Sequence, residues 1–146
     1  MTQRIDYESV TPDGVRAMEA LEAYVQGCGL DHGLLELVKM RVSQINGCAF
    51  CLAMHGPLAR RHGVTQRQLD TLAAWRESPL FDARAKAALR WAESVTHVTK
   101  GIPDEDFAPM RAHFTEREIA DLTWAVIVIN GWNRVTIAFR EPVAQG

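Results

Sequence analysis

Cys48-Ala49-Phe50-Cys51-Leu52-Ala53-Met54-His55 is the stretch of this chain with the most chemistry in it. On a helix its two sulfurs and one imidazole fall at i, i+3 and i+7, inside an arc of about 60°. Cys51 and His55 form an i, i+4 pair, close enough for the ring to reach the sulfur directly or through one water. Gly47 ends the preceding helix, so both cysteines enter the first turn of the next one. Free backbone N–H groups and the positive end of the helix dipole favour a thiolate there. A thiolate, not a thiol, attacks a peroxide or a disulfide. The second cysteine, one turn away, can then close a disulfide on the oxidised first.

Glu36 stands twelve residues before Cys48, on the helix that the Asn46-Gly47 turn joins to this one. With the two helices antiparallel, Glu36 lies about 15 Å back from the turn and His55 about 10 Å beyond it. The levels differ by less than one turn, which allows a Glu–water–His contact without assuring a direct one. A carboxylate there orients the imidazole and raises its basicity, the role of the third group in a nucleophile–base–orienter chain.

The elements that position these groups read as helices throughout, and the predicted fold class is all-α in one compact multi-helix domain covering residues 1–146. Thr11-Pro12 opens a helix carrying Val15, Met18, Leu21 and Val25, which ends near Gly27 to Gly29. A second runs from Asp31 to Asn46, and a third from Cys48 to Gly63, with Pro57 inside it removing one backbone donor. Thr65-Gln66-Arg67-Gln68 and Thr115-Glu116-Arg117-Glu118 have the form of capping boxes. The first starts a short helix with Leu69, Leu72 and Trp75; the second starts a long apolar helix reaching Phe139. Asp82 caps a helix predicted to continue through Val98 to Gly101. The β-branched run Ala125 to Ile129 sits inside the long capped segment and reads as buried helix.

Two helices carry apolar residues on more than one side. In the second, Leu34, Leu35, Val38, Val42 and Ile45 make one stripe, while Leu37 and Met40 lie off it, on the side of Glu36. The last helix is apolar around much of its circumference. A chain of this size has limited room to cover both, which predicts a homo-oligomer.

Glu36, Cys48, Cys51 and His55 together match the Glu-x11-Cys-x2-Cys-x3-His pattern of the alkyl hydroperoxidase D-like family. That family lies within the carboxymuconolactone decarboxylase-like superfamily. The resemblance takes in residues 30 to 140, including the Ala59-Arg60-Arg61-His62-Gly63-Val64-Thr65 run and Asn130-Gly131-Trp132-Asn133-Arg134. It implies an all-α domain that assembles as a trimer or hexamer and reduces small organic hydroperoxides. It also implies roles: Cys51 as the attacking sulfur that becomes a sulfenic acid, Cys48 as the resolving thiol, and His55 with Glu36 as the proton relay. Some members carry a His between the two cysteines where this chain has Phe50. The decarboxylase branch typically lacks the cysteine pair.

The remaining features narrow the field. A net charge of −2 and a pI near 6.2 give no electrostatic footprint for nucleic acid or an anionic membrane. Arg60-Arg61-His62 reads as a solvated helix face. The longest apolar run, Trp124 to Ile129, is far short of a membrane span, and the polar N-terminus lacks a signal peptide's core. Three cysteines, an odd number, fit a reducing cytoplasm better than a disulfide scaffold. Cys28 reads as a helix-end core residue; Trp75, Trp91, Trp124 and Trp132 as core or subunit contacts; His32, His62, His97 and His113 as capping or exposed groups. No phosphate loop or dinucleotide motif is present, so no cofactor is expected, and electrons must come from an external thiol or dithiol, a protein-bound lipoyl group among the candidates. Two other uses of the cysteines stay open: thiol–disulfide exchange or redox sensing on a protein partner, and a zinc site drawing on Cys48, Cys51 and His55 in a non-catalytic assembly.

Overall fold

Side-chain oxygens begin most of the helices in this protein. In the computed structural model, which describes residues 1–145, Asp31 Oδ2 accepts from the Leu34 N–H at 2.9 Å and Asp82 Oδ1 from the Ala85 N–H at 2.8 Å. Thr65 and Thr115 each close the full reciprocal capping box. These caps satisfy N–H groups that have no partner within their own helix. The described residues form eight α-helices: α1 (Tyr7–Val10), α2 (Pro12–Gln26), α3 (His32–Asn46), α4 (Ala49–Arg61), α5 (Gln66–Thr71), α6 (Ala83–Thr96), α7 (Asp104–His113) and α8 (Glu116–Phe139). The fold is all-α, as the periodicity predicts.

Helix α3 is the axis of the domain, packed by α4, α6 and α8, while α2 lies along α8 and α7 covers α6. Where α2 meets α8 the approach is so close that a Cβ on Gly131 would stand 2.7 Å from Met18 Cε. One cluster joins Leu34, Leu35, Val38 and Val42 to Leu122, Val126 and Ile129 of α8. A second, on the opposite side of α3, holds Leu37 and Met40 against Leu72, Trp75, Phe81 and Leu89. Leu37 and Met40 therefore need no second subunit to cover them, and that ground for assembly falls. The apolar circumference of α8 remains: Trp124, Ile127 and Ile137 are exposed on it.

Four elements differ from expectation. Helix α1 is unexpected, and α5 ends at Thr71, so Leu72 falls in a 3₁₀ turn and Trp75 just after it. Helix α6 stops at Thr96 rather than Gly101, and a 3₁₀ turn over Val98–Lys100 follows. Val95, Thr96, Val98 and Thr99 are all β-branched, which weakens helix propagation at this end. Helix α7 has no counterpart in the periodicity because it buries only Met110 fully. Its sequence signal is charge instead: Asp104, Glu105 and Asp106 in the first turn, Arg111 and His113 in the last, complementing the helix dipole.

Polar pins lock the layers. Lys39, fully buried on α3, pairs with Glu22 on α2. Glu93 on α6 accepts from Arg41 Nε at 2.8 Å, Trp75 Nε1 at 2.8 Å and Arg76 Nη2 at 2.9 Å. Burial works against its charge, but these donors outweigh it and hold the Glu93 carboxyl below its ordinary value of 4.5. A depressed carboxylate stabilises the fold above its unfolded pKa, and that stability is lost as pH falls through the lower folded value. Glu93→Gln should lower stability at pH 7 and flatten its decline below pH 4.5. Urea unfolding of both chains from pH 7 to pH 3 checks this; parallel declines would remove Glu93 from the acid response.

Candidate active site

The turn that builds the site is Gly47. It adopts φ 69° and ψ 36°, the left-handed conformation that costs a residue with a Cβ about 1 kcal/mol or more. This reverses the chain, and the Cys48 N–H closes back on Ser43 O at 3.0 Å. Cys48 then serves as the N-cap of α4, its Sγ accepting from the Cys51 N–H at 3.3 Å. The same sulfur is bonded to Cys51 as a disulfide, with the Cα atoms 5.3 Å apart. Both cysteines are 1% exposed.

Antiparallel packing of α3 on α4 brings Glu36 to His55 directly. His55 Nδ1 lies 2.7 Å from Glu36 Oε2, with both side chains buried. Helix rise alone allows a contact through water without assuring a direct one; the structure brings the two into contact. An ionised carboxylate only accepts, so with Glu36 ionised, Nδ1 carries the proton and Nε2 of the neutral ring keeps its lone pair. Helix α4 continues through Pro57 to Arg61.

On α8 sequence reasoning marks the run Asn130 to Arg134 only as part of the resemblance, gives it no role, and misses Thr136 altogether. Thr136 Oγ1 stands 3.0 Å from Cys48 Sγ and 3.6 Å from Cys51 Sγ. One turn earlier, fully buried Asn133 donates from Nδ2 to Ser43 Oγ at 3.0 Å and accepts from Asn46 Nδ2 at 3.0 Å. Asn46 Nδ2 also donates to Asn130 Oδ1 at 2.9 Å, and Asn130 donates to Thr96 Oγ1 at 3.1 Å. This amide clasp fixes the ends of α3 and α6 against α8, directly behind the cysteine turn. The available signal was two polar residues, Asn133 and Thr136, spaced i, i+3 within an apolar helix. A cleft of about 400 Å³ opens beside them, lined by Asn46, Asn133, Arg134, Ile137 and Ala138.

The other residues singled out lie away from this cluster. Cys28 is free and half-buried at the end of α2. Trp75 and Trp91 are core, Trp132 is partly buried, and Trp124 is exposed. His32 Nε2 donates to Gln26 O, 2.9 Å away, and its ring meets that of His62 edge-on at 4.9 Å. A zinc site would need Cys48, Cys51 and His55 to converge on one ion. Among the described residues no three His, Cys, Asp or Glu side chains are so arranged. Nor is any described helix long and apolar enough to cross a membrane.

Comparison with known proteins agrees with this fold. The profile of the carboxymuconolactone decarboxylase family matches residues 12–94. YdfG, an uncharacterised protein of Bacillus subtilis, is 39% identical over 146 residues, 99% of each chain. A crystal structure from Agrobacterium tumefaciens, of a protein of unknown function described as a candidate antioxidant defence protein AhpD, has a TM-score of 0.96 at 40% identity. It covers 99% of this chain and 100% of that one. An uncharacterised peroxidase-related protein from Silicibacter has a TM-score of 0.78 at 26% identity, over 89% of this chain and 70% of its own.

Losing the Asn133 amide would leave Ser43 and Asn46 short of buried partners. Asn133→Ala should therefore cost about 1–3 kcal/mol, the range for buried polar groups left unpaired. A urea midpoint equal to that of the unchanged chain would mean the clasp adds nothing to stability.

Proposed function

This chain belongs to the carboxymuconolactone decarboxylase family, and from that premise we propose that it is a thiol-dependent peroxidase reducing small organic hydroperoxides through Cys48 and Cys51. The observation that carries the proposal is the Cys48–Cys51 disulfide across the first turn of α4, with the buried Glu36–His55 pair one turn further along. A cysteine pair able to cycle between dithiol and disulfide is what peroxide reduction needs and decarboxylation does not.

In the proposed cycle His55, its Nδ1–H held by Glu36, takes the Cys51 proton on Nε2, directly or through one water. The Cys51 thiolate attacks one peroxide oxygen and the O–O bond breaks. Sulfur keeps that oxygen as a sulfenic acid, while the alkoxide leaves as an alcohol with the proton from His55. The Cys48 thiolate then attacks Cys51 Sγ, and the hydroxyl departs as water after taking a proton. An external dithiol restores the pair, losing the two electrons that the peroxide gained.

Thiol–disulfide exchange with a folded protein partner is the competing reading. The 1% exposure of both cysteines favours the peroxidase, since a small hydroperoxide or a slender dithiol arm reaches atoms that a folded partner cannot. The exposed Trp124, Ile127 and Ile137 of α8 support assembly with further copies of this chain, a trimer or hexamer by family resemblance. A cytoplasmic location suits reversible cysteine chemistry.

Peroxide-dependent consumption of a dithiol tests the activity. Cys51→Ser should abolish turnover, while Cys48→Ser should still form one sulfenic acid that a dimedone-type reagent traps. His55→Ala should slow turnover by about 10² to 10⁴. A folded Cys51→Ser chain that still consumes peroxide would refute the assignment, as would a fully active His55→Ala chain for the relay. Assembly is checked by sedimentation at micromolar concentration; a single 16.3 kDa species would reject it.

A further inference from the structure

The two sulfurs have different neighbours, and that asymmetry carries an inference of its own. Cys51 sits one helical turn from His55, whereas Cys48 collects the hydrogen-bond donors. Its Sγ lies 3.3 Å from the Cys51 N–H and 3.0 Å from Thr136 Oγ1, at the positive end of the α4 dipole. The Cys51 sulfur is further from the hydroxyl, at 3.6 Å, and its own N–H is already directed at Cys48.

Thr136 has one hydroxyl proton and several acceptors within reach. It can donate back along α8 to Trp132 O at 2.9 Å or Asn133 O at 3.2 Å, or across to Cys48 Sγ. A disulfide sulfur is a weak, uncharged acceptor, so in the oxidised protein the backbone carbonyl is the better partner. A thiolate at Cys48 reverses that preference, because charge-assisted hydrogen bonds are about twice as strong as neutral ones. Only rotation about the C–O bond is needed; no heavy atom moves. Thr136 is itself 4% exposed, so no bulk water competes for the proton.

We infer that the Thr136 hydroxyl holds Cys48 as a thiolate whenever the pair is open, and so directs an incoming reductant to Cys51. This rests on the proposed peroxidase cycle for its purpose, though not for its chemistry. A reductant thiolate attacks Cys51 Sγ, the Cys51–Cys48 bond breaks as the new S–S bond forms, and the electron pair leaves on Cys48. The Thr136 hydroxyl turns to that sulfur as it departs. The dithiol's second sulfur then attacks the first, releasing Cys51 as thiolate and the reductant as its own disulfide. In the oxidative direction the same stabilised Cys48 is ready to attack a Cys51 sulfenic acid without waiting for a base.

Thr136→Val keeps the shape and removes the hydroxyl; Thr136→Ser keeps the hydroxyl. In the full chain, equilibrated with dithiothreitol buffers at pH 7, Thr136→Val should make the disulfide about tenfold harder to reduce, a shift of about 30 mV for a two-electron couple. Thr136→Ser should stay near the original value. In a Cys51→Ser background, thiolate absorbance should titrate Cys48 below the ordinary thiol value of about 8.5, and Thr136→Val should raise it. Finally, the oxidised, unsubstituted chain is treated with glutathione in excess iodoacetamide and its peptides are sequenced by mass spectrometry. Glutathione should be found on Cys51 and the alkyl group on Cys48. An equilibrium unchanged by Thr136→Val, or glutathione on Cys48, would overturn the inference. Should Thr136→Val fail to fold, the adduct map and the Cys48 titration decide alone. None of these measurements uses peroxide, so absent peroxide turnover would refute the peroxidase proposal and leave the role of Thr136 standing.

Discussion

Helix α3 has almost no face left for water, and the site follows from that constraint. Ten of its fifteen residues are buried, so a polar group on it must find its partner inside the protein or carry a large desolvation cost. Glu36 meets His55, Lys39 meets Glu22, and Ser43 meets Asn133. Each partner lies on a different helix: α4, α2 and α8. The polar groups of one buried helix thus tie it to three others, among them α4, which carries the sulfurs, and α8, whose Thr136 faces them. Apolar packing brings the helices together, and these pairs set their register, because a shift of one turn would leave a buried carboxylate or ammonium alone.

Cys48 joins local folding to chemistry. Its sulfur accepts the N–H that a Thr or Asp oxygen accepts in the N-cap position elsewhere in this chain. The cap of a helix and the redox group are then one atom. The left-handed Gly47 upstream fixes its direction, and the amide clasp behind it leaves the turn little freedom to wander.

Much of this is written locally in the sequence. Asp31, Thr65, Asp82 and Thr115 announce helix starts, and Gly47 announces a stop, because capping depends on residues three apart. The Glu36 and His55 levels follow from helix rise alone, but direct contact depends on how closely α3 and α4 approach. Leu37 and Met40 were harder: their cover comes from Leu72, Trp75 and Phe81, spread over a 3₁₀ turn and the loop that follows it without one period. Helix α7 hid because its dipole charges, rather than an apolar stripe, define it. Thr136 was out of reach of local reading, since it meets Cys48 across 88 residues of chain. Only the docking of α8 against α4 reveals that a hydroxyl faces the sulfurs.

The cysteines are only three residues apart, and this has a thermodynamic consequence. A cross-link restricts the unfolded chain more as the loop it closes grows longer, and this loop is among the shortest a disulfide can close. Opening the bond therefore returns little conformational freedom to the denatured ensemble. The domain is held instead by its helical core and its buried pairs, none of which depends on the oxidation state of sulfur. Electrons can come and go at the cysteine turn while the melting temperature of the scaffold around it stays nearly constant.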